Sequence, residues 1–374
     1  MITNKKILYS HSTTLNLAFF SENYTLSDLL FFDIETTGLS SKTSQVFLIG
    51  LIQYNSDASA FEMIQFLAEN KETSEEIQIL ENFCRIALTK NCLVHFNGGS
   101  FDLPFLRHRC QALHLSESFS QLPSLDIYRE LLKMPAFFRQ MPDHKQKSFE
   151  HLTKYPRKDK LSGKEMISVF QEYALTKASD AENLLLLHNE DDLRGMLSLT
   201  SLGSLKQLFK NSYQITDIQE LQEPNLDGVS ETKLFFHLSL EDPVPTVLSA
   251  NAGFCYITVA ENSVKIKMPL YEGTLRYFYP DYKNYYYLPF EDEAIHKSVA
   301  AYLDSSHRQK ATAATCYKKI SGKFLYAPGD PNLPLLKENY VSKEHYVLWP
   351  FEEPVLPHLH SFLHEIIKTA ATTK

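Results

Sequence analysis

Up to about residue 130 the chain alternates short apolar runs with polar, turn-rich intervals, and after that it carries amphipathic helical stripes. Residues 1–24 read as an arm holding at most a short strand. Leu29 to Glu35 is the first core strand, Gln45 to Tyr54 the second and Phe61 to Phe66 the third. The short links between them predict an antiparallel meander. Ser74 opens a helix whose stripe is Ile77, Leu80, Phe83, Cys84 and Ala87. Cys92 to Phe96 is a fourth strand, and the loop from Asn97 to Pro104 feeds a helix reaching about His114. Leu125 to Tyr128 forms a short strand or helix, and helices are expected from Lys164 to Leu175 and from Asp180 to Phe209. Residues 211–231, with Glu223-Pro224-Asn225 and Asp227-Gly228, read as a polar linker. Beyond it, Phe254 to Val259, Ser263 to Met268 and Thr274 to Tyr279 alternate as strands. A tyrosine-rich stretch and helices at 291–304 and 357–371 complete a second domain.

At 374 residues the chain is long for one core, so two domains are expected. No run approaches the about 20 apolar residues of a membrane span. The basic N-terminus lacks an apolar segment behind it, so no signal peptide is read. Five scattered cysteines, odd in number and without paired spacing, predict reduced thiols and a cytoplasmic protein. The formal net charge of −8 counts against a passive coat for nucleic acid. It counts less against a metal-dependent enzyme, because bound ions reverse the local charge.

The chemistry concentrates in a few carboxylates. Side chains alternate along a strand, so Asp33 and Glu35 in Phe32-Asp33-Ile34-Glu35 point to one face. Two like charges on a buried face are costly unless something positive lies between them. A divalent ion held by hard oxygen ligands is the simplest compensation. Asp102 follows just beyond a strand's C-terminal end, where open α/β sheets place their ligands. Further on, helical spacing puts Leu184, His188, Asp192, Met196 and Leu199 on one stripe facing the sheet. Asp191 shares a stripe with Arg194 and Ser198 and is expected to face solvent.

These residues carry a resemblance. Asp33-Ile34-Glu35-Thr36-Thr37-Gly38 resembles the first motif of the DEDD 3′–5′ exonucleases, Asn97-x-x-x-Phe101-Asp102 the second, and His188-x-x-x-Asp192 the third. The longer strings from Asn97 to Leu106 and from His188 to Asp192 are most similar to the YprB-type ribonuclease-H-like exonucleases, over residues 25–210. The resemblance implies an α/β class: a ribonuclease-H-like mixed five-stranded sheet flanked by helices. It says nothing about the smaller α+β domain expected at 232–374. It also implies that Asp33, Glu35, Asp102 and Asp192 hold two Mg²⁺ or Mn²⁺ ions roughly 3.5–4 Å apart. One ion would lower the pKa of an attacking water while the other stabilises the leaving 3′-oxygen, and His188 would orient or deprotonate that water. The histidine-type enzymes carry their histidine five residues before the last aspartate. Here the separation is four, where the sister group carries tyrosine.

Thr36 and Leu39 are then expected to grip the terminal nucleotide, with Asn97 and Phe101 contacting the strand near the scissile phosphate. The expected activity is hydrolysis from the 3′ ends of single-stranded DNA or RNA, releasing nucleoside 5′-monophosphates. A ribonuclease-H-like endonuclease, or a non-catalytic nucleic-acid-binding module on the same fold, are the alternatives. Asp102 alone would suit a helix N-terminus; beside Asn97 and Phe101 it reads as catalytic. Asp126 is given a structural role. The aromatic band Tyr277, Phe278, Tyr279, Tyr282 and Tyr285 to Tyr287 reads as a β core rather than a base-stacking platform, and Arg308, Lys310, Lys318, Lys319 and Lys323 as a solvated face.

Overall fold

The computed structural model describes residues 1–8, 15–20, 24–224, 228, 230–300, 302–329, 333–351 and 356–373. Two compact units emerge, Met1–Gln207 with Asp242–Val247, and Leu208–Glu241 with Leu248–Lys374.

The first unit is built on a sheet of six strands: β1 (Ile2–Leu8), β2 (Leu29–Thr36), β3 (Val46–Asn55), β4 (Ala60–Leu67), β5 (Cys92–His95) and β6 (Ser124–Asp126). Their spatial order is β1-β4-β3-β2-β5-β6. β2, β3 and β4 form the expected antiparallel meander, while β5 and β6 join parallel to it. The N-terminal arm corrects the five-stranded expectation. Ile2 to Leu8 pair antiparallel with β4 from Leu67 to Phe61, adding a sixth, edge strand. Polar Asn4, Lys5 and Lys6 hid it, and they suit an edge that one face leaves to solvent.

Helices accompany the sheet: α1 (Thr73–Ala87), α2 (Asp102–Ala112), α3 (Ile127–Leu131), α4 (Gln146–Leu152), α5 (Gly163–Thr176) and α6 (Ser179–Leu199); a short α7 (Lys206–Phe209) follows in the chain. Ser162 caps α5 through a reciprocal box with Glu165, which fixes its start. Phe47 stacks on Phe170 of α5 at 4.1 Å between ring centroids, part of a core that also takes in Phe32, Phe83, Leu106 and Leu185. Glu76 of α1 is buried because Arg109 of α2 binds both its oxygens, at 2.8 and 2.7 Å. Its Oε1 also accepts from the Val46 amide at 2.9 Å, so one carboxylate ties two helices to the sheet.

α6 lies across β2, β3 and β4. Gly50, opposite Asp33 in the β2–β3 register, makes that approach close: a Cβ there would fall 1.9 Å from Oδ1 of Asn189 and 2.6 Å from Leu193. A glycine buried in a strand interior marks such a contact.

The second unit is richer in strands than expected. β7 (Tyr213–Pro224), β8 (Ser230–Asn251) and β9 (Tyr256–Pro269) form one three-stranded sheet. The linker expectation is thereby corrected. β7 pairs with β8 over Tyr213 to Pro224, and its mostly polar composition reflects an edge strand, while Asn225 and Asp227 lie outside the described residues. β10 (Tyr271–Phe278) is followed by β11 (Tyr285–Leu288), β12 (Glu293–His296), the short α8 (Lys297–Ala300) and β13 (Gln309–Lys310). β14 (Tyr317–Ala327), β15 (His345–Trp349) and α9 (Leu359–Thr372) complete the unit. Residues 293–296, placed in a helix by periodicity, instead pair with β11, where Ile295 faces Tyr286 across the hairpin. Residue 301 of that expected helix lies outside the described residues. The aromatic band is half-buried, with Tyr279 stacked on Tyr285 at 4.5 Å between centroids. α9 buries Phe362, Leu363, Ile366 and Ile367 on one face. Among the described residues no helix is long and apolar enough to cross a membrane. All five cysteines are free and buried.

Candidate active site

The strand period does what it predicts. Asp33 and Glu35 leave β2 on the same face and meet α6. A register shift between Glu35 and Thr36 ends the regular pairing of β2 with β3 just past the two acids. Thr36 turns its hydroxyl to the Gly38 carbonyl at 2.9 Å, and Leu39 behind it is 87% exposed.

Asp102 arrives by a different route. Beyond β5, Asn97 adopts a left-handed backbone with φ of 57°, which asparagine tolerates. Its amide donates to Oδ1 of Asp126 at 2.8 Å, so the structural role given to Asp126 is to pin this turn. The chain then swings into α2 with Asp102 as its first residue. Gly98 passes so near that a Cβ would lie 2.7 Å from the Asp102 carboxylate. A cleft of about 640 Å³ opens beside it, lined by Phe96, Asn97, Phe101, Asp102, Tyr128 and Lys145, among others.

α6 supplies the rest. His188 and Asp192, one turn apart, both reach the site: Nε2 of His188 lies 3.3 Å from Glu35 Oε1 and 3.3 Å from Asp192 Oδ2. Ligand atoms of Glu35, His188 and Asp192 all fall within 4.8 Å of one another, a grouping able to hold a metal ion. Asp33 stands beside this trio, its Oδ2 accepting from Asn189 Nδ2 at 2.9 Å.

The electrostatics match that crowding. Burial, then the carboxylates of Asp192, Glu35 and Asp102, hold Asp33 well above the usual carboxylate range. Glu35 is held well above it in the same way, by burial and by Asp192, Asp102 and Asp159. Burial raises Asp102 to about 7, with Asp126 and Asp192 adding to the effect against its own backbone hydrogen bond. Hard oxygen donors that repel one another when ionised are a donor set suited to a divalent cation.

Asp191 departs from the sequence reading. It is only 3% exposed and faces the loop between α4 and α5 rather than solvent. Tyr155 donates to its Oδ1 at 2.8 Å, and the amides of Lys158 and Asp159 donate to its Oδ2 at 2.7 and 2.6 Å. That loop contributes residues the sequence did not single out. Arg157 binds Asp192 at 2.6 Å, Glu150 at 3.0 Å and Asp159 at 3.3 Å. Asp159 in turn lies 2.9 Å from Nδ1 of His188. One sequence signal did point here: Gly195, inside an otherwise good helix. A Cβ on it would meet Glu150 Oε1 at 2.0 Å.

The sequence matches the family model of the RNase H superfamily over residues 30–202, a span running through every motif from Asp33 to Asp192. The Met1–Gln207 unit has a ribonuclease-H-like fold. Among solved structures, the chain is similar to the zinc-bound complex of E. coli exonuclease I with single-stranded DNA. That similarity has 13% identity over 57% of this chain and 54% of that one, with a TM-score of 0.33. It is also similar to E. coli exonuclease I with a dT13 oligonucleotide, at 12% identity over 56% and 54% of the two chains and a TM-score of 0.31. A family B DNA polymerase from the archaeon Pyrobaculum calidifontis shows 14% identity over 92% of this chain and 46% of that one, with a TM-score of 0.38. The chain spans about half the length of these proteins. A comparison with curated proteins returned no match.

Proposed function

We propose that the ribonuclease-H-like unit is a metal-dependent nuclease that hydrolyses phosphodiester bonds stepwise from nucleic-acid 3′ ends, releasing nucleoside 5′-monophosphates. The observation that supports this most is the convergence of Asp33 and Glu35 of β2, Asp102 at the start of α2 and Asp192 of α6, with Glu35 and Asp192 also meeting His188. The charges acting on Asp33 are all carboxylates, an arrangement that makes little sense for stability alone.

Divalent cations, when held by these four carboxylates, supply a water of lowered pKa and a charge clamp for the leaving oxygen. The protein's own part is positioning. The aromatic rings of Phe96, Phe101 and Tyr128 in the adjoining cleft offer faces for unpaired bases, and Lys145 a contact for phosphate. Asn97, its backbone held by Asp126, presents its side chain at the mouth of that cleft. Thr36 and the exposed Leu39 follow the two acids along the chain and would bracket the terminal nucleotide.

The test is digestion of 5′-labelled single-stranded DNA and RNA of one sequence with EDTA, Mg²⁺ or Mn²⁺, beside Asp33→Asn. A ladder shortening from the 3′ end, abolished by EDTA and reduced at least ~100-fold in the variant, is expected. Cleavage of circular strands would replace the exonuclease with an endonuclease. Intact substrate in every metal would remove the nuclease reading altogether.

A further inference from the structure

Two side chains beneath the turn from Asn97 to Asp102 each use one polar atom to hold that turn and keep a second without a partner. His95 ends β5, and its Nδ1 accepts the Gly98 amide at 3.0 Å. An amide N–H only donates, so Nδ1 supplies a lone pair and the ring proton sits on Nε2. Asp126 ends β6, and its Oδ1 accepts the Asn97 amide at 2.8 Å. Its Oδ2 lies 3.5 Å from Arg129 Nε and 3.9 Å from His95 Nδ1 and hydrogen-bonds neither. His95 Nε2 and Asp126 Oδ2 thus have no hydrogen-bond partner among the described residues, although the two side chains are only 2% and 9% exposed. Buried donors and acceptors are seldom left so. Both side chains line a cavity of about 300 Å³ that shares no lining residue with the cleft beside Asp102. A Cβ on Gly99 would lie 3.5 Å from Asp126 Oδ2, 3.8 Å from Arg129 Nη2 and 3.8 Å from His95 Cε1. A carboxylate oxygen, a guanidinium and an imidazole edge therefore face one small volume over a glycine.

We infer that this cavity binds a mononucleotide, base inward. An N–H of the base donates to Asp126 Oδ2, a neighbouring acceptor of the base takes the His95 Nε2 proton, and the phosphate meets Arg129, whose side chain is 66% exposed. Nucleobases carry such a donor and acceptor side by side on one edge, as adenine does with N6 and N7. Tyr24, Pro123 and Leu125 add apolar wall for the faces of the ring. Glu130, the other acid of the wall, does not oppose a phosphate, because Lys133 and Lys206 hold it at 2.6 and 2.7 Å. A water would bridge the same two atoms, but its share of liquid volume, about 30 Å³, is a tenth of this cavity, which is of the size that small ligands fill. The site stands apart from the nuclease reading, since none of its residues is among the proposed metal ligands. It bears on that reading in one respect. The side chains that would grip the base also hold the Asn97 and Gly98 amides, so an occupant stiffens the turn from which Asp102 starts.

The experiment is calorimetric titration of the full chain, in EDTA, with AMP, GMP, adenosine and inorganic phosphate. AMP is expected to bind one to one, adenosine about tenfold more weakly, and phosphate alone not measurably. Arg129→Ala should bring AMP down to the adenosine value. Gly99→Ala sets a methyl group at ordinary contact distance from all three polar groups, so the fold accepts it while AMP weakens about tenfold or more. Asp126→Asn keeps an oxygen for the Asn97 amide and turns Oδ2 into a donor. AMP should then be lost while GMP, whose O6 and N7 both accept, is kept, an exchange of preference that loss of local structure would not produce. No heat with any nucleotide overturns the inference and leaves the two atoms to water. AMP binding that Gly99→Ala and Asp126→Asn leave unchanged overturns it too, placing the nucleotide elsewhere on the chain. Neither result bears on whether the protein shortens strands in Mg²⁺ or Mn²⁺, so the nuclease reading stands or falls by its own assay.

Discussion

Asn189 donates from its Nδ2 to Oδ2 of Asp33 at 2.9 Å, while its own Oδ1 accepts from Gln65 Nε2 at 2.9 Å. Helix α6, strand β2 and strand β4 are therefore joined by one side-chain amide beneath the cluster of acids. Asn189→Asp keeps the shape but replaces the donor with another carboxylate against Asp33. Loss of roughly 1–3 kcal/mol in urea unfolding is expected, with strand degradation falling as well. Unchanged stability would mean that this bond is not formed in solution.

The raised carboxyls make stability depend on pH in a definite direction. Asp102 sits at about 7 when folded against an ordinary value of 3.8, so the protonated form favours the fold. Its contribution is full at acid pH below the unfolded value and is lost as pH rises through about 7. Asp33 and Glu35 shift in the same direction. Asp159 is lowered by its partners and acts oppositely, but only in the acid range below the usual carboxylate value. In EDTA the melting temperature should fall between pH 5 and 8, and Asp102→Asn should flatten that fall. Added Mn²⁺ should raise the melting temperature most at the alkaline end, where ions no longer compete with protons. A profile that is flat in EDTA would remove the premise.

Arg157 is the most heavily paired cation of the cluster, with its side chain 10% exposed and three carboxylates around it. Arg157→Met retains bulk but leaves buried negative charges unpaired, a change worth about 3–5 kcal/mol of stability in chemical denaturation at neutral pH. Part of that loss should return on adding Mn²⁺, since a bound ion supplies the missing charge at Asp192. A loss that Mn²⁺ leaves untouched would place Asp192 outside the ion's reach.

Gly50→Ala tests the closeness of helix to sheet. The new Cβ would overlap Asn189 and Leu193, so α6 must lift or those side chains must turn. Destabilisation of about 1–3 kcal/mol is expected, as for other overpacked cores. Degradation of strands should fall by more than stability predicts, because Asn189 is also the support of Asp33. Equal loss in Asn189→Asp and the double variant, measured as a double-mutant cycle, would show the shared cause.

Much of this was legible from the residues alone. Strict alternation in a buried strand put Asp33 and Glu35 on one face, and helical spacing brought His188 and Asp192 together. Both depend only on local periods. What could not be read locally was partner choice. Asp191 looked solvent-facing because Arg194 and Ser198 share its stripe, yet Tyr155 and two backbone amides 32 to 36 residues away bury it. Asp159 and Arg157 lie in a polar stretch with no period, so only the folded chain reveals that they engage α6. The pairing of β1 into the sheet, and β7 altogether, were missed for a related reason: each is an edge strand, and edges tolerate the polar composition that otherwise signals a linker.

Five consecutive positions of α6 point four ways. His188 and Asp192 serve the acids, Asn189 the strands beneath, and Asp191 the α4–α5 loop, while Glu190 binds Lys6 at 2.9 Å and Arg194 at 2.7 Å. Single substitutions each disturb one of these directions. Inserting one residue between Leu187 and His188, or deleting Leu187, would instead rotate the two sides of the helix against each other by about 100°, misdirecting every contact together. The segment should therefore accept drift in residue type at Glu190 but almost no change in length. Indels tolerated in the surrounding loops should stop abruptly at the boundaries of this one turn.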